Sequence, residues 1–272
     1  MRAYRITVPK PDEDLATALL WEAGTQGIEV LAAQEGTAAC LLAYFPDEAD
    51  PTPHLAKLPE ARIQATPVPD VDWIARFREG FRAFRVGVFR VVPAWKPPVE
   101  GVPCLRVDPG RAFGTGTHET TRLCLRALQR LARERPLGRV LDLGAGSGIL
   151  AIAAVRLGAA FAVASDLDPE AVDAACHHAR LNAARLRLVR GDGGRPFRPG
   201  VFDLFLANLT ASLLLERRGE IAALASRHGV LVLTGFLAAD TGSVDDAYRT
   251  SGRTAPLRDG AWGALLVRGA PA

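Results

Sequence analysis

Residues 139–152 read Arg139-Val140-Leu141-Asp142-Leu143-Gly144-Ala145-Gly146-Ser147-Gly148-Ile149-Leu150-Ala151-Ile152. A short apolar run enters three glycines at alternate positions and an apolar helical pattern leaves them, which is strand, tight turn and helix. The spacing G-x-G-x-G differs from the G-x-G-x-x-G of the dinucleotide fingerprint. Three missing Cβ atoms let a ligand lie flat against the backbone. Asp142, just before the turn, would repel a pyrophosphate and suits a ligand that carries an ammonium group. The next apolar run, Phe161-Ala-Val-Ala-Ser165, ends at Asp166, the place of a ribose-binding acid in a βαβ unit. Acid, glycine turn and second acid describe a pocket for a cationic nucleoside, and S-adenosylmethionine is the common one.

Outward from this turn the chain repeats βα units. Helical patterns cover 118–134, 148–158, 169–182, 210–225 and 239–251. Strand patterns cover 139–143, 161–166, 185–190, 201–207 and 229–235, followed by a hairpin-like pair at 254–258 and 262–268. The expected fold of residues 101–272 is α/β: a seven-stranded, Rossmann-like doubly wound sheet with an antiparallel edge. Residues 1–66 read β-α-β-β-α-β, with strands at 2–8, 27–33, 37–45 and 62–66. That is a small α+β, ferredoxin-like domain of the kind that holds a partner. Between them, 67–100 forms a proline-punctuated helical linker. Trp73, Phe77, Phe81 and Phe84 share one face of a helix from about Asp70 to Phe84. They read as packing residues, and the arginines beside them as a solvated face.

The bulk properties narrow the class. Of 272 residues, 49% are hydrophobic and 23% charged, so neither disorder nor a fibrous repeat is in view. The longest apolar stretch is broken by Arg156 and Gly158, the N-terminus alternates like a strand, and no membrane span or signal segment is expected. Four scattered cysteines without a C-x-x-C pair imply reduced thiols, no structural metal and a cytoplasmic location. Charge is uneven. Residues 1–66 hold five basic and ten acidic residues, a balance of −5, so the remainder carries +8 against the overall +3. An acidic lobe of this kind is compatible with a basic protein partner, and equally with a solvated face.

Further candidates lie at the strand ends. Asp168-Pro169 is a helix cap with proline in the first turn. Asp192, in Arg190-Gly-Asp-Gly193, reads equally as an adenine contact and as a turn acid. Asn208 closes the fourth strand beside the place of methyl delivery, and competes with an N-cap role. His118, at a helix start, invites a catalytic-base reading but nothing pairs with it in sequence, and His177-His178 read as solvated or packing residues. The stretch Asp108-Pro-Gly-Arg-Ala-Phe-Gly-Thr-Gly-Thr-His-Glu-Thr-Thr121 combines a glycine-rich loop with a helix start whose free N–H groups suit a carboxylate.

The stretch Asp108–Leu125, with Val140–Leu157, Asp166–Pro169 and Ala207-Asn208, resembles the bacterial family of S-adenosylmethionine-dependent methyltransferases that modify the eleventh protein of the large ribosomal subunit. The resemblance covers nearly the whole chain and implies S-adenosylmethionine contacts at Thr121, Gly144, Asp166 and Asn208. It also implies transfer of methyl groups to lysine side chains and the N-terminal α-amine of that ribosomal protein, with no nucleic-acid specificity and no membrane partner. The methyl on a sulfonium is already activated, so the chemistry requires no dedicated base and no catalytic residue is assigned. Ala145 stands where the family often has cysteine, and Asn208-Leu-Thr-Ala211 replaces the more frequent Asn-Ile-Leu-Ala. Two alternatives stand beside this reading. One is an adenine-amine methyltransferase acting on nucleic acid, which would more usually show Asn-Pro-Pro-Tyr after the fourth strand. The other is a non-catalytic ribosome-assembly module with a vestigial pocket.

Overall fold

The computed structural model describes residues 2–31, 38–67, 81–108 and 116–269. The chain divides into two units, Met1–Val71 and Asp72–Ala272. The first contains β1 (Arg2–Pro9), α1 (Glu13–Glu22), β2 (Gly27–Leu31), β3 (Ala38–Phe45), the single turn α2 (Thr52–Leu55) and β4 (Arg62–Thr66). Its sheet has the order β2-β3-β1-β4 with every neighbouring pair antiparallel, which is the split βαβ arrangement. Alternation in β1 decides what is buried. Ile6 and Val8 point into a core with Leu41, Phe45, Leu19 and Leu55, while Arg5 on the opposite face stays in water.

In the second unit, Trp73 and Phe77 of the expected aromatic helix lie outside the described residues. Phe84, placed at the end of that helix by its spacing, instead begins a strand. A three-stranded sheet follows: β5 (Phe84–Val86), β6 (Phe89–Pro93) and β7 (Cys104–Val107), antiparallel and then parallel. Phe89, Val91, Leu105 and Val107 join the main core. The Gln129 amide closes the β5–β6 turn, donating to Val86 O at 3.0 Å and accepting from Val88 N–H at 2.8 Å.

The remaining elements are α3 (Glu119–Glu134), β8 (Arg139–Leu143), α4 (Ile149–Arg156), β9 (Phe161–Asp166), α5 (Pro169–Leu181), β10 (Arg187–Arg190), β11 (Phe202–Asn208), α6 (Ala211–Glu216), α7 (Arg218–Leu224), β12 (Ala225–Leu237), α8 (Thr241–Tyr248), β13 (Arg253–Asp259) and β14 (Trp262–Arg268). The expected helix over 210–225 is two helices that meet at Arg217. The sheet order is β10-β9-β8-β11-β12-β14-β13. Only β14 runs against the others, and it lies between β12 and β13. The expected antiparallel edge is therefore one strand further in: the edge itself is β13, which carries Pro256 and pairs on one side only.

Period-two alternation builds a core on each face of this sheet. Val140, Leu204 and Val232 pack toward α3 and α4, whereas Leu141, Phe205 and Leu233 pack toward α6, α7 and α8. Each such side chain contributes about 1.5–3 kcal/mol on burial. The strand order reverses between β8 and β11, so a crevice opens at their carboxyl ends, and all the site residues gather there.

Candidate functional site

β8 delivers the chain into the glycine turn, where Gly144, Gly146 and Gly148 have φ of +67°, +50° and +72°. The turn is held from β9: Gly144 N–H and Ala145 N–H both donate to Ser165 O, at 2.9 and 3.0 Å. Asp166 continues the grip. One carboxylate oxygen accepts from Gly146 N–H at 2.9 Å and the other from Asp168 N–H at 3.1 Å. Each oxygen has two lone pairs, so one acceptor position remains on each. Asp168 caps α5 through Glu170 N–H at 2.9 Å, with Pro169 in the first turn, as expected.

Across the switch point, Asn208 ends β11 and its Nδ2 donates to Thr121 Oγ1 at 3.4 Å, joining residues 87 positions apart. The N-cap of α6 is Thr210, which accepts from Leu213 N–H, so Asn208 has no capping duty. Ala207 pairs with Leu143 in the β8–β11 register, which puts Asn208 and Gly144 side by side at the next step. A Cβ on Gly144 would stand 2.6 Å from Leu209 Cδ2. The four residues singled out by sequence thus form two touching pairs, Gly144 with the Asp166 segment and Thr121 with Asn208, on one sheet edge.

Asp142 behaves differently from the expectation. It is 1% exposed, and its carboxylate accepts from Ala151 N–H at 3.0 Å. Burial pushes its carboxyl up to about 8, outweighing the Ala151 N–H, and neighbouring Asp166 pushes the same way. At neutral pH it is a neutral acid that ties β8 to α4, and offers no charge to a cationic ligand. An unfolded carboxyl ionises near about 3.9. Between about pH 4 and 8 the folded state therefore keeps a proton that the unfolded state has lost, and stability falls as pH rises through that window. Asp142→Asn removes the titration. The unfolding free energy of the wild type, minus that of the variant, should decline from about pH 5 to 8 in urea titrations; a difference that stays level would refute the assignment.

Asp192 sits after β10 with its carboxylate paired to Arg217 at 2.5 Å and Arg195 at 2.7 Å, which favours the turn-acid reading. His118 caps α3, accepting from Thr120 N–H, and its ring meets Trp262 edge-on at 4.6 Å. The sequence reading missed one cluster. His178, 4% exposed, donates from Nδ1 to Ala174 O at 2.8 Å and accepts at Nε2 from Asp108 N–H at 2.9 Å. His177 Nε2 lies 3.1 Å from the Asp108 carboxylate. One turn on, the Asn182 amide pairs with both N–H and C=O of Arg106, at 2.7 and 2.8 Å. Burial holds the His178 imidazole below its ordinary range, in the neutral form this pattern needs. The signal was available: His178 and Asn182 are four apart on one helical face. Residues 109–115 of the expected loop lie outside the described residues.

The glycine turn and Asp166 fit the ribose part of an adenosyl group. The turn has no side chains at its glycines, and Asp166 has two acceptor positions to spare. Among the described residues, no group of three or more His, Cys, Asp or Glu is placed to hold a metal ion, and no helix is long and apolar enough to cross a membrane.

Residues 4–268 match the model of the family described as ribosomal protein L11 methyltransferase (PrmA). The chain belongs to this family. The PrmA match starts in β1 and ends with β14, so it takes in both units. Among PrmA relatives, the ribosomal protein L11 methyltransferase of Geobacter sulfurreducens is 39% identical over 254 residues, 86% of this chain and 83% of that one. The enzyme of the same name from Geobacter metallireducens is 40% identical over 210 residues, covering 75% and 68%. A crystal structure of ribosomal protein L11 methylase from Lactobacillus delbrueckii subsp. bulgaricus superposes with a TM-score of 0.62 at 30% identity, covering 70% of this chain and all of that one.

Proposed function

We propose that this protein transfers methyl groups from S-adenosylmethionine to amines of ribosomal protein L11, namely lysine side chains and the N-terminal α-amine. The observation that carries the reading is the PrmA family match over residues 4–268. When bound, S-adenosylmethionine supplies a methyl group on sulfur that is already activated for transfer. Asp166 would accept the two ribose hydroxyls on its spare lone pairs, Gly144 would let the ligand approach the backbone, and Thr121 and Asn208 would border the methyl. The acidic balance of residues 1–66 suits docking of a basic ribosomal protein, and reduced thiols suit the cytoplasm.

The chemistry asks for a neutral amine in line with the methyl. A free lysine has a pKa of about 10.4 and an α-amine about 8, so the amine must shed its proton. Thr121 holds the Asn208 Nδ2, which leaves Oδ1 to accept from the incoming amine N–H. An amide here orients the amine without favouring its cation; a carboxylate would favour the cation. Asn208→Asp should therefore move the pH–rate profile to higher pH and recover activity in alkali, whereas Asn208→Ala loses about 10²-fold in kcat at every pH. Steady-state rates from neutral to alkaline pH separate the two, and identical profiles for both variants would remove the orienting role.

The test of function is mass spectrometry of purified ribosomal protein L11 after incubation with this protein and S-adenosylmethionine. Methyl-sized mass increments on lysines and the N-terminus are expected. Transfer to RNA with none to L11 would favour the adenine-amine reading, and cofactor binding without turnover would favour a non-catalytic module.

A further inference from the structure

The edge strand β10 and its flanks carry six exposed arginines: Arg180 at the end of α5, Arg185 before the strand, Arg187 and Arg190 in it, and Arg195 and Arg198 after it. Between 180 and 200 they face one acid, Asp192. Arg195 pairs with that acid; the other five pair with no carboxylate among the described residues. Elsewhere in this unit Arg126 pairs with Asp259, Arg130 with Glu134 and Arg249 with Asp245, whereas Arg133, Arg227 and Arg253 are also exposed without a carboxylate among the described residues. The β10 edge is set apart by its six exposed arginines against one acid between 180 and 200. The same edge exposes an aromatic ring. Phe161 opens β9 and is 41% exposed, two residues before Val163, which pairs with Arg187. Arg185 is likewise two residues before Arg187, so arginine and aromatic ring lie at the same end of the pair.

Charge on an edge strand also blocks unwanted strand pairing. That purpose needs charges on β10 alone, yet here they extend onto α5 and the following loop. Unpaired cations along a strand edge beside an exposed aromatic ring are the combination that tracks a nucleic-acid backbone and stacks a base. We propose that this edge binds the phosphate backbone of single-stranded RNA without reading its sequence. The choice of polyanion rests on the proposed substrate being a ribosomal protein, whose surroundings are RNA. The contact would add affinity for an RNA-associated substrate without changing the amine chemistry at Asn208.

The test is fluorescence anisotropy of the full chain with two unrelated RNAs of about 20 nucleotides, longer than one typical site. Five phosphate contacts give a log–log salt slope of about −3.5, so affinity should fall about 100-fold between about 50 and 200 mM salt, alike for both RNAs. Arg180→Gln, Arg185→Gln and Arg187→Gln combined should reduce the slope to about −1.4 while methylation of isolated L11 and the thermal unfolding midpoint stay unchanged. RNA affinity and salt slope that stay at the wild-type values in this triple variant overturn the proposal. So does wild-type protein that binds no RNA at low salt, or that binds phosphatidylserine vesicles in place of RNA. A variant that aggregates with unchanged RNA affinity assigns the arginines to edge protection. If L11 is methylated but no RNA is bound, this inference fails alone; if RNA is bound but L11 is never methylated, the proposed function fails instead.

Discussion

With Asp166 in its proposed ribose-binding role, Asp166→Ala should weaken S-adenosylmethionine binding by about 10²- to 10⁴-fold, because two ribose hydroxyls would each lose a charged acceptor worth about 1.5–3 kcal/mol. The variant also strips two backbone partners, leaving the N–H groups of Gly146 and Asp168 to water. Both lie at the partly exposed mouth of the site, so the fold should survive with a modest loss of stability. Calorimetric titration with S-adenosylhomocysteine, beside a thermal unfolding curve, reads both effects. Affinity within tenfold of wild type would mean that the ribose is held elsewhere.

Gly235→Ala has the second large effect, on stability and on the site together. Gly235 has φ of +100°, at the point where the β12–β14 register shifts between Thr234 and Phe236. A Cβ there would stand 2.4 Å from Leu209 O and 2.7 Å from Leu209 N, backbone atoms that cannot swing aside. Leu209 N–H donates to Thr234 O at 2.8 Å, so any shift passes directly to Asn208. Backbone strain and overpacking together cost about 3 kcal/mol or more. Urea unfolding should show that loss, and kcat should fall under conditions where the variant is fully folded. Gly242→Ala in α8, with nothing within 4 Å, is the control. A Gly235→Ala protein as stable as that control would show that β12 can relax around the methyl.

Much of the architecture was legible because β8, β9, β11 and β12 are largely buried and punctuated by glycine turns and caps, which are local signals. The split βαβ order of the first unit was legible for the same reason. The three-stranded sheet of β5–β7 was not: its strands are three to five residues long, lie among prolines and share a stretch with an aromatic spacing that favoured a helix. The position of β14 was also hidden, since a hairpin reads the same whichever strand sits outside. At the site, Asn208 and Asp166 stood out because they end apolar runs. Asp142 was misread because sequence shows the charge of an acid and not its burial. The Asp108 clamp was missed because its partners lie 69 to 70 positions away.

The insertion of β14 between β12 and β13 has a consequence for how the protein is made. A growing chain releases β12, then β13, and the strand that separates them last. At about 5–20 residues per second, the 31 positions from Leu237 to Arg268 take several seconds to emerge. During that interval β12 presents an open edge, and β13 is already at hand to take it. Pairing there would give the plain doubly wound order and shut β14 out. Pro256 stands in the middle of β13 and has no N–H to give a second neighbour, so β13 makes a poor interior strand. That proline suits β13 to the outside of the sheet and leaves the place beside β12 to β14.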